Sequence, residues 1–296
     1  MKKKVPVLTA SFLLPFGLLI LFCMIDRIAP FGDRTFLYDD MKRQYVDYFV
    51  YLKHLPESLA SGRGSLFYSI ENGLGGNMAG FFAYYLTSPL LVIFLFLPVG
   101  AFPSAVTFLT VTKLSLMSVT MCIYLKEKAG EYSPLLLPFS LSYALSANPA
   151  LNCTNSMWLD AMILFPVLLL FADRFLNARK RPFSGAVPYI LTTAALLYLN
   201  YYIAWMILLF IALWGSLSLT GKLPLAGKIL PGGSPEDPSE DENAVWELPE
   251  VLKKALSFAS STILAGMLSA FLLLPAFFSL QRSAKNVPEG VEKLLF

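Results

Sequence analysis

Long apolar runs alternate with short polar breaks along most of the chain. The runs fall at about residues 5–25, 84–102, 103–125, 134–149, 157–176, 186–200, 202–220 and 255–279. Several approach the ~20 apolar residues that cross a hydrocarbon core. They predict seven or eight membrane segments and an all-α fold, a polytopic transmembrane helix bundle. Residues 221–254 break the pattern, with a PGGSPEDPSEDEN stretch too polar to bury a core, and read as an acidic, proline-rich cytoplasmic linker. The expected organisation is therefore a membrane core over residues 1–220 with an outer loop at 26–83, then the linker at 221–254, then a further membrane helix within 255–296.

Within the outer loop the period changes to that of a half-buried helix. In DDMKRQYVDYFVYLKHL, Met41, Tyr45, Tyr48, Phe49 and Leu52 share one face, and Asp40, Gln44, Asp47, Tyr51 and His54 the other. An amphipathic helix lying in the membrane interface is expected here. Downstream, Gly73, Gly75, Gly76 and Gly80 allow tight turns or a close backbone approach to a ligand. Pro89, Pro98 and Pro103 permit a broken or re-entrant segment across 74–102.

Charge sets the orientation. Lys2, Lys3 and Lys4 precede the first run, and Arg174, Arg179, Lys180 and Arg181 crowd the loop near residues 173–183. By the positive-inside bias both sites are cytoplasmic, which puts the N-terminus inside and Asp39 and Asp40 at the outer face. Counting 84–102 and 103–125 as two full spans would move the arginine-rich loop outside, so the charge rule favours either a re-entrant or broken segment across 74–102 or one run that is not a separate span. The composition, 56% hydrophobic with a net charge of +3, is that of an integral membrane protein and offers nothing to nucleic acid. Three scattered cysteines read as small buried hydrophobes, and a single histidine excludes a histidine-cluster metal site.

Several polar residues at the apolar boundaries are candidates for chemistry. One acid of the Asp39, Asp40 pair could cap the amphipathic helix. Asp160 opens a long apolar helix behind Asn152, Asn155 and Trp158, where either capping or ligand binding would favour an acid. Asn200, Tyr201 and Tyr202 could present hydrogen bonds and rings to a ligand, or serve as interfacial anchors. Lys113 stands mid-run, about 13 and 18 Å of helix from the two ends. A charge at that depth costs about 2.5–3.5 kcal/mol or more, so Lys113 is expected to face the bundle interior. There it would meet a ligand phosphate or a structural carboxylate.

FLYDDMKRQYVDYF, GLGGN, NSMWLDAMILFPVLLL and LNYYIAWM, in that order, resemble the bacterial membrane protein YfhO family. The resemblance implies a GT-C-like glycosyltransferase that takes a sugar from a polyprenyl-phosphate carrier at the outer face of the bacterial cell membrane. The implied acceptor is a cell-envelope glycopolymer such as a lipoteichoic acid; the partners are donor, acceptor and membrane lipids. It implies Asp40 as the base, with Asp39 sharing or substituting for that role. Gln44, Tyr45, Asn77, Lys113, Asn155, Trp158, Asp160, Asn200, Tyr201 and Tyr202 are the implied substrate-binding set. No cofactor is expected, and a divalent-metal requirement stays open. Such proteins are usually longer, so the chain reads as an N-terminal portion. A lipid or glycolipid flippase and an inactive relative are the alternatives.

Overall fold

The computed structural model describes residues 4–70, 75–178, 185–221 and 247–285. Lys2, Lys3, Gly73, Arg179, Lys180, Arg181 and the acidic PGGSPEDPSEDEN stretch lie outside the described residues. The fold is an all-α polytopic bundle, with one two-residue strand pair, β1 (Tyr68–Ser69) and β2 (Gly76–Asn77), among the described residues.

Helix α1 (Lys4–Ile25) is apolar on every side and mostly exposed, as a lipid-facing span should be. A five-residue π-helical turn, Met41–Tyr45, leads into α2 (Val46–Ala60). Met41, Tyr45 and Phe49 are buried while Asp40, Gln44, Asp47 and His54 are exposed, so the amphipathic helix expected from the sequence is present with the expected faces.

The run at 84–102 is not one continuous helix. Helix α3 (Ala79–Tyr85) ends, the chain bends by 101°, and a 3-10 turn at Pro89–Val92 leads into α4 (Ile93–Phe96). Pro89 cannot donate to a continuing helix, and it holds Ser88 in extended backbone. The broken segment that the charge rule allowed is therefore present.

Two long helices form the centre. Helix α5 (Phe102–Ala129) and α8 (Ser156–Asn177) make the most extensive helix contact and run parallel. At one end Lys113 meets Asp160. At the other, Arg174 Nε donates to Glu127 Oε1 at 2.9 Å and Lys128 pairs with Asp173. Parallel neighbours need a return stroke, made by α6 (Leu136–Ala144) and the single turn α7 (Ala147–Leu151). The run at 134–149 is thus interrupted at Leu145 and Ser146.

Helices α9 (Ala186–Leu199) and α10 (Tyr201–Thr220) form a hairpin about Asn200. The last segment begins at Leu248, seven residues ahead of the expected boundary. A reciprocal capping box between Glu247 and Glu250 starts α11 (Leu248–Leu268) inside what composition assigned to the linker. Its expected continuation to 279 is broken at Ser269, whose Oγ donates to Ala194 O at 2.9 Å, before α12 (Ala270–Lys285).

The result is a bundle with two unlike ends. Lys126, Lys128, Arg174 and Lys254 gather at one, where Lys254 Nζ donates to Ala178 O at 3.0 Å. Asp40, Trp158, Tyr84 and Tyr201 gather at the other. Among the described residues four helices are individually long and apolar enough to cross a membrane, or five spans if the bent pair is one. This is a multi-pass membrane protein.

Candidate functional site

The tyrosine end is built from four separated pieces of chain. The π turn and the first turn of α2 bring Tyr45 and Tyr48, α3 brings Tyr84 and Tyr85, α8 brings Trp158, and the α9–α10 hairpin brings Tyr201 and Tyr202. Their rings interlock. Tyr85 lies 5.1 Å from Tyr45 and 4.8 Å from Tyr48, Tyr84 meets Tyr201 edge-on at 5.8 Å, and Trp158 stacks on Tyr202 at 5.9 Å. Trp158 Nε1 donates to the Tyr84 hydroxyl at 3.0 Å, and Tyr45 donates its hydroxyl proton to Asn155 Oδ1 at 2.8 Å. Burial, with the neighbouring Tyr85 and Asp40 adding to it, pushes the Tyr45 phenol well above its ordinary range, so it stays protonated as a donor.

These rings wall one side of a cavity of about 480 Å³. Tyr84, Tyr85, Tyr201 and Phe81 supply aromatic surface, Asn77 and Gly76 a polar edge, and Ser279 with Leu280 the far side from α12. Gly80 faces Ser279 with little to spare: a Cβ there would lie 3.4 Å from the serine Oγ. Asn77 Oδ1 accepts from Ala79 N at 2.7 Å, which fixes the start of α3 at the cavity edge.

Asp40 lies near this tyrosine cluster, where its charge helps to raise the phenols of Tyr45, Tyr84 and Tyr85, though it does not itself line the cavity. The capping alternative does not describe it: Asp40 occupies the residue before the π turn but makes no side-chain cap bond, and it is exposed. Asp39, also exposed, is held at φ 46°, a left-handed conformation rare outside glycine. Strained backbone and π turns both concentrate at working sites. Gln44 sits one turn on, accepting from Tyr85 Oη at a long 3.5 Å.

Three expected ligand contacts have other duties. Asp160 does not cap α8; it lies buried a full turn inside the helix. Its Oδ2 accepts from Lys113 Nζ at 2.7 Å and its Oδ1 from Ser88 Oγ at 3.0 Å. Lys113, fully buried, donates also to Ser156 O at 2.8 Å and Ser156 Oγ at 3.0 Å. Lys113 does face the interior, as its depth in the run required. All three ammonium protons are used on protein oxygens, so the carboxylate alternative holds and none is left for a phosphate. Asn200 is likewise buried; its Oδ1 caps α10 by accepting from Ile203 N at 2.9 Å, leaving Tyr201 and Tyr202 as the surfaces that this hairpin offers.

Sequence reading missed Tyr84, Tyr85 and Ser279, and it missed Ser88 as the hinge partner of Asp160. A signal existed for the tyrosines, since they end an aromatic run, FFAYYL, just before the Pro89 break. Ser279 had none. Among the described residues no three His, Cys, Asp or Glu side chains form a metal ligand set.

In comparison with known proteins, a family model described as "Bacterial membrane protein YfhO" matches residues 11–293. No curated protein and no solved structure matches the chain.

Proposed function

Because the chain belongs to the bacterial membrane protein YfhO family, we propose that it is a membrane glycosyltransferase of the GT-C kind, moving a sugar from a polyprenyl-phosphate carrier to a cell-envelope glycopolymer. The observation that carries the proposal is the Asp40 carboxylate, exposed, free of any capping bond and near tyrosines that line a cavity. In this reaction Asp40 takes the proton of the acceptor hydroxyl as its oxygen attacks the anomeric carbon. The bond from that carbon to the carrier phosphate breaks, with inversion, and polyprenyl phosphate leaves. The Tyr84, Tyr85 and Tyr201 rings and the Asn77 amide orient the sugar, so that part of the barrier is met by positioning. Asp39 can take over part of the proton transfer.

The basic end of the bundle, with Lys126, Lys128 and Arg174, lies in the cytoplasm on this reading, and the tyrosine end faces out, where the carrier presents its sugar. The bent α3–α4 pair is also a feature of flippases, which move a lipid without breaking it. Product formation separates the two. With a labelled polyprenyl-phosphate sugar and glycopolymer acceptor, the intact protein transfers label, Asp40→Asn abolishes transfer while donor still binds, and Asp39→Asn slows it. Carrier movement without transfer, or an Asp40→Asn variant as active as wild type, overturns the proposal.

A further inference from the structure

The polar face of α2 continues well beyond Asp40. Asp40, Gln44, Asp47, Tyr51 and His54 follow one another over 14 residues of helical chain, about 20 Å. A solvated face would need no facing wall, yet this one has one. The chain turns back after α2 and runs alongside it through Arg63, Ser65 and Tyr68. Tyr51 donates its hydroxyl proton to Ser65 O at 3.0 Å, tying this return strand to the helix. The β1–β2 pairing then anchors Tyr68. Gly75, at φ +123°, lies so close to the Tyr68 hydroxyl that a Cβ would fall 2.2 Å from it, so glycine admits the end of that side chain.

Between α2 and this wall lie two cavities. One of about 230 Å³ is lined by Arg43, Gln44, Asp47, Tyr48 and Ser69; one of about 640 Å³ by His54, Arg63, Ser65 and Tyr68. They share Asp47, Tyr51 and Ser69, so they form one groove. Its near end touches the tyrosine cavity through two contacts already described, Gln44 with Tyr85 and Tyr48 stacked on Tyr85. Asp40 precedes Gln44 by one helical turn on the same polar face, so the groove runs along α2 from beside that carboxylate toward Arg63.

Its chemistry is selective. Rings from Tyr48, Tyr51 and Tyr68 alternate with groups that hydrogen-bond in pairs, the Asp47 carboxylate, the Gln44 amide and the Arg63 guanidinium. Flat aromatic surface matches the apolar faces of sugar rings, and forked donors and acceptors match neighbouring hydroxyls. A lipid tail would leave those polar groups unpaired.

We infer that this groove is an acceptor subsite, holding the non-reacting units of an oligosaccharide chain while its terminal hydroxyl lies at Asp40. The inference rests on the transferase reading of Asp40 and adds an extended, sugar-built acceptor to it.

The test uses the intact protein and fragments of cell-envelope glycopolymer sized to one and to four sugar units, with binding followed by calorimetry. Wild type is expected to bind the four-unit fragment at least tenfold more tightly than the single unit. Arg63→Ala combined with Tyr68→Ala should abolish that tenfold difference while leaving single-unit binding and thermal stability unchanged. Tyr68→Phe, which keeps the ring, should retain the difference. Equal binding of both fragments by wild type, or a length preference that survives the double variant, overturns the inference. Binding is read without turnover, so the two readings fail separately. A length preference in a protein that transfers no sugar leaves the groove standing and removes the transferase; transfer without length preference does the reverse.

Discussion

Two aspartates, Asp40 and Asp160, lie in the same half of the bundle and are treated in opposite ways. Asp160 is buried, bonded on both oxygens, and paired with a lysine whose three protons are all engaged. Asp40 is exposed, makes no capping bond, and lies near tyrosines that line an open cavity. A buried charge pair satisfied on every side has no capacity left for a ligand; it fixes geometry. It ties α5 to the start of α8 and, through Ser88, to the hinge of the broken α3–α4 pair. Those same pieces carry Tyr84, Tyr85, Asn155 and Trp158. One acid holds the frame; the other is the one that the proposed reaction uses.

The sharpest break in that comparison is Lys113→Met, which strands the Asp160 carboxylate in the bundle. Removing one partner of a buried pair costs about 3–5 kcal/mol, and the loss should appear as a lowered denaturation midpoint in detergent. Adding Asp160→Leu removes the stranded charge. The double variant should therefore recover most of that stability, though not all, since Ser88 and Ser156 lose their partners.

Ser88→Ala touches the link between the two regions. It removes one hydrogen bond to a charged group, worth about 1.5–3 kcal/mol. If the buried pair positions the tyrosine wall through this hinge, the variant should also raise KM for donor, whereas a loss of stability with unchanged KM would confine the pair to holding the bundle. Asn200→Ala should cost about 1 kcal/mol through the lost cap of α10 and displace Tyr201 and Tyr202, read as weaker donor binding with the midpoint only slightly lowered.

Topology tests the ends themselves. In a background lacking the three native cysteines, a cysteine at Ser61 should react with an impermeant thiol reagent on intact cells. Cysteines at Glu131 and Asn177 should react only after lysis. All three positions are exposed in the fold, so reaction at Asn177 in intact cells would invert the orientation.

The parts of this molecule that the sequence made legible are those where one stretch of chain carries its own periodicity or punctuation. The amphipathic helix showed in the alternation from Met41 to His54, and the broken segment in Pro89 and the conflict between span count and basic residues. Asp39 and Asp40 stood out as adjacent acids just after the first span, and the family resemblance, not the local pattern, pointed to Asp40 of the two. What stayed hidden depends on partners far apart in the chain. Lys113 and Asp160 are 47 residues apart, and no local pattern says that an intramembrane lysine will spend all its protons on α8. Asn200 looked like a sugar contact because a tight hairpin and a ligand surface both use asparagine and tyrosine. The capping box at Glu247 and Glu250 sat at the margin of an acidic stretch, where composition masked it.

The most direct measurement compares the two acids in one preparation, with Asp40→Asn and Asp160→Asn purified side by side and both denaturation midpoint and sugar transfer recorded. Asp40→Asn should keep the wild-type midpoint and lose transfer by about 10²–10⁴-fold, the range of a missing general base, while Asp160→Asn lowers the midpoint. Wild-type transfer by a folded Asp40→Asn protein would contradict the account.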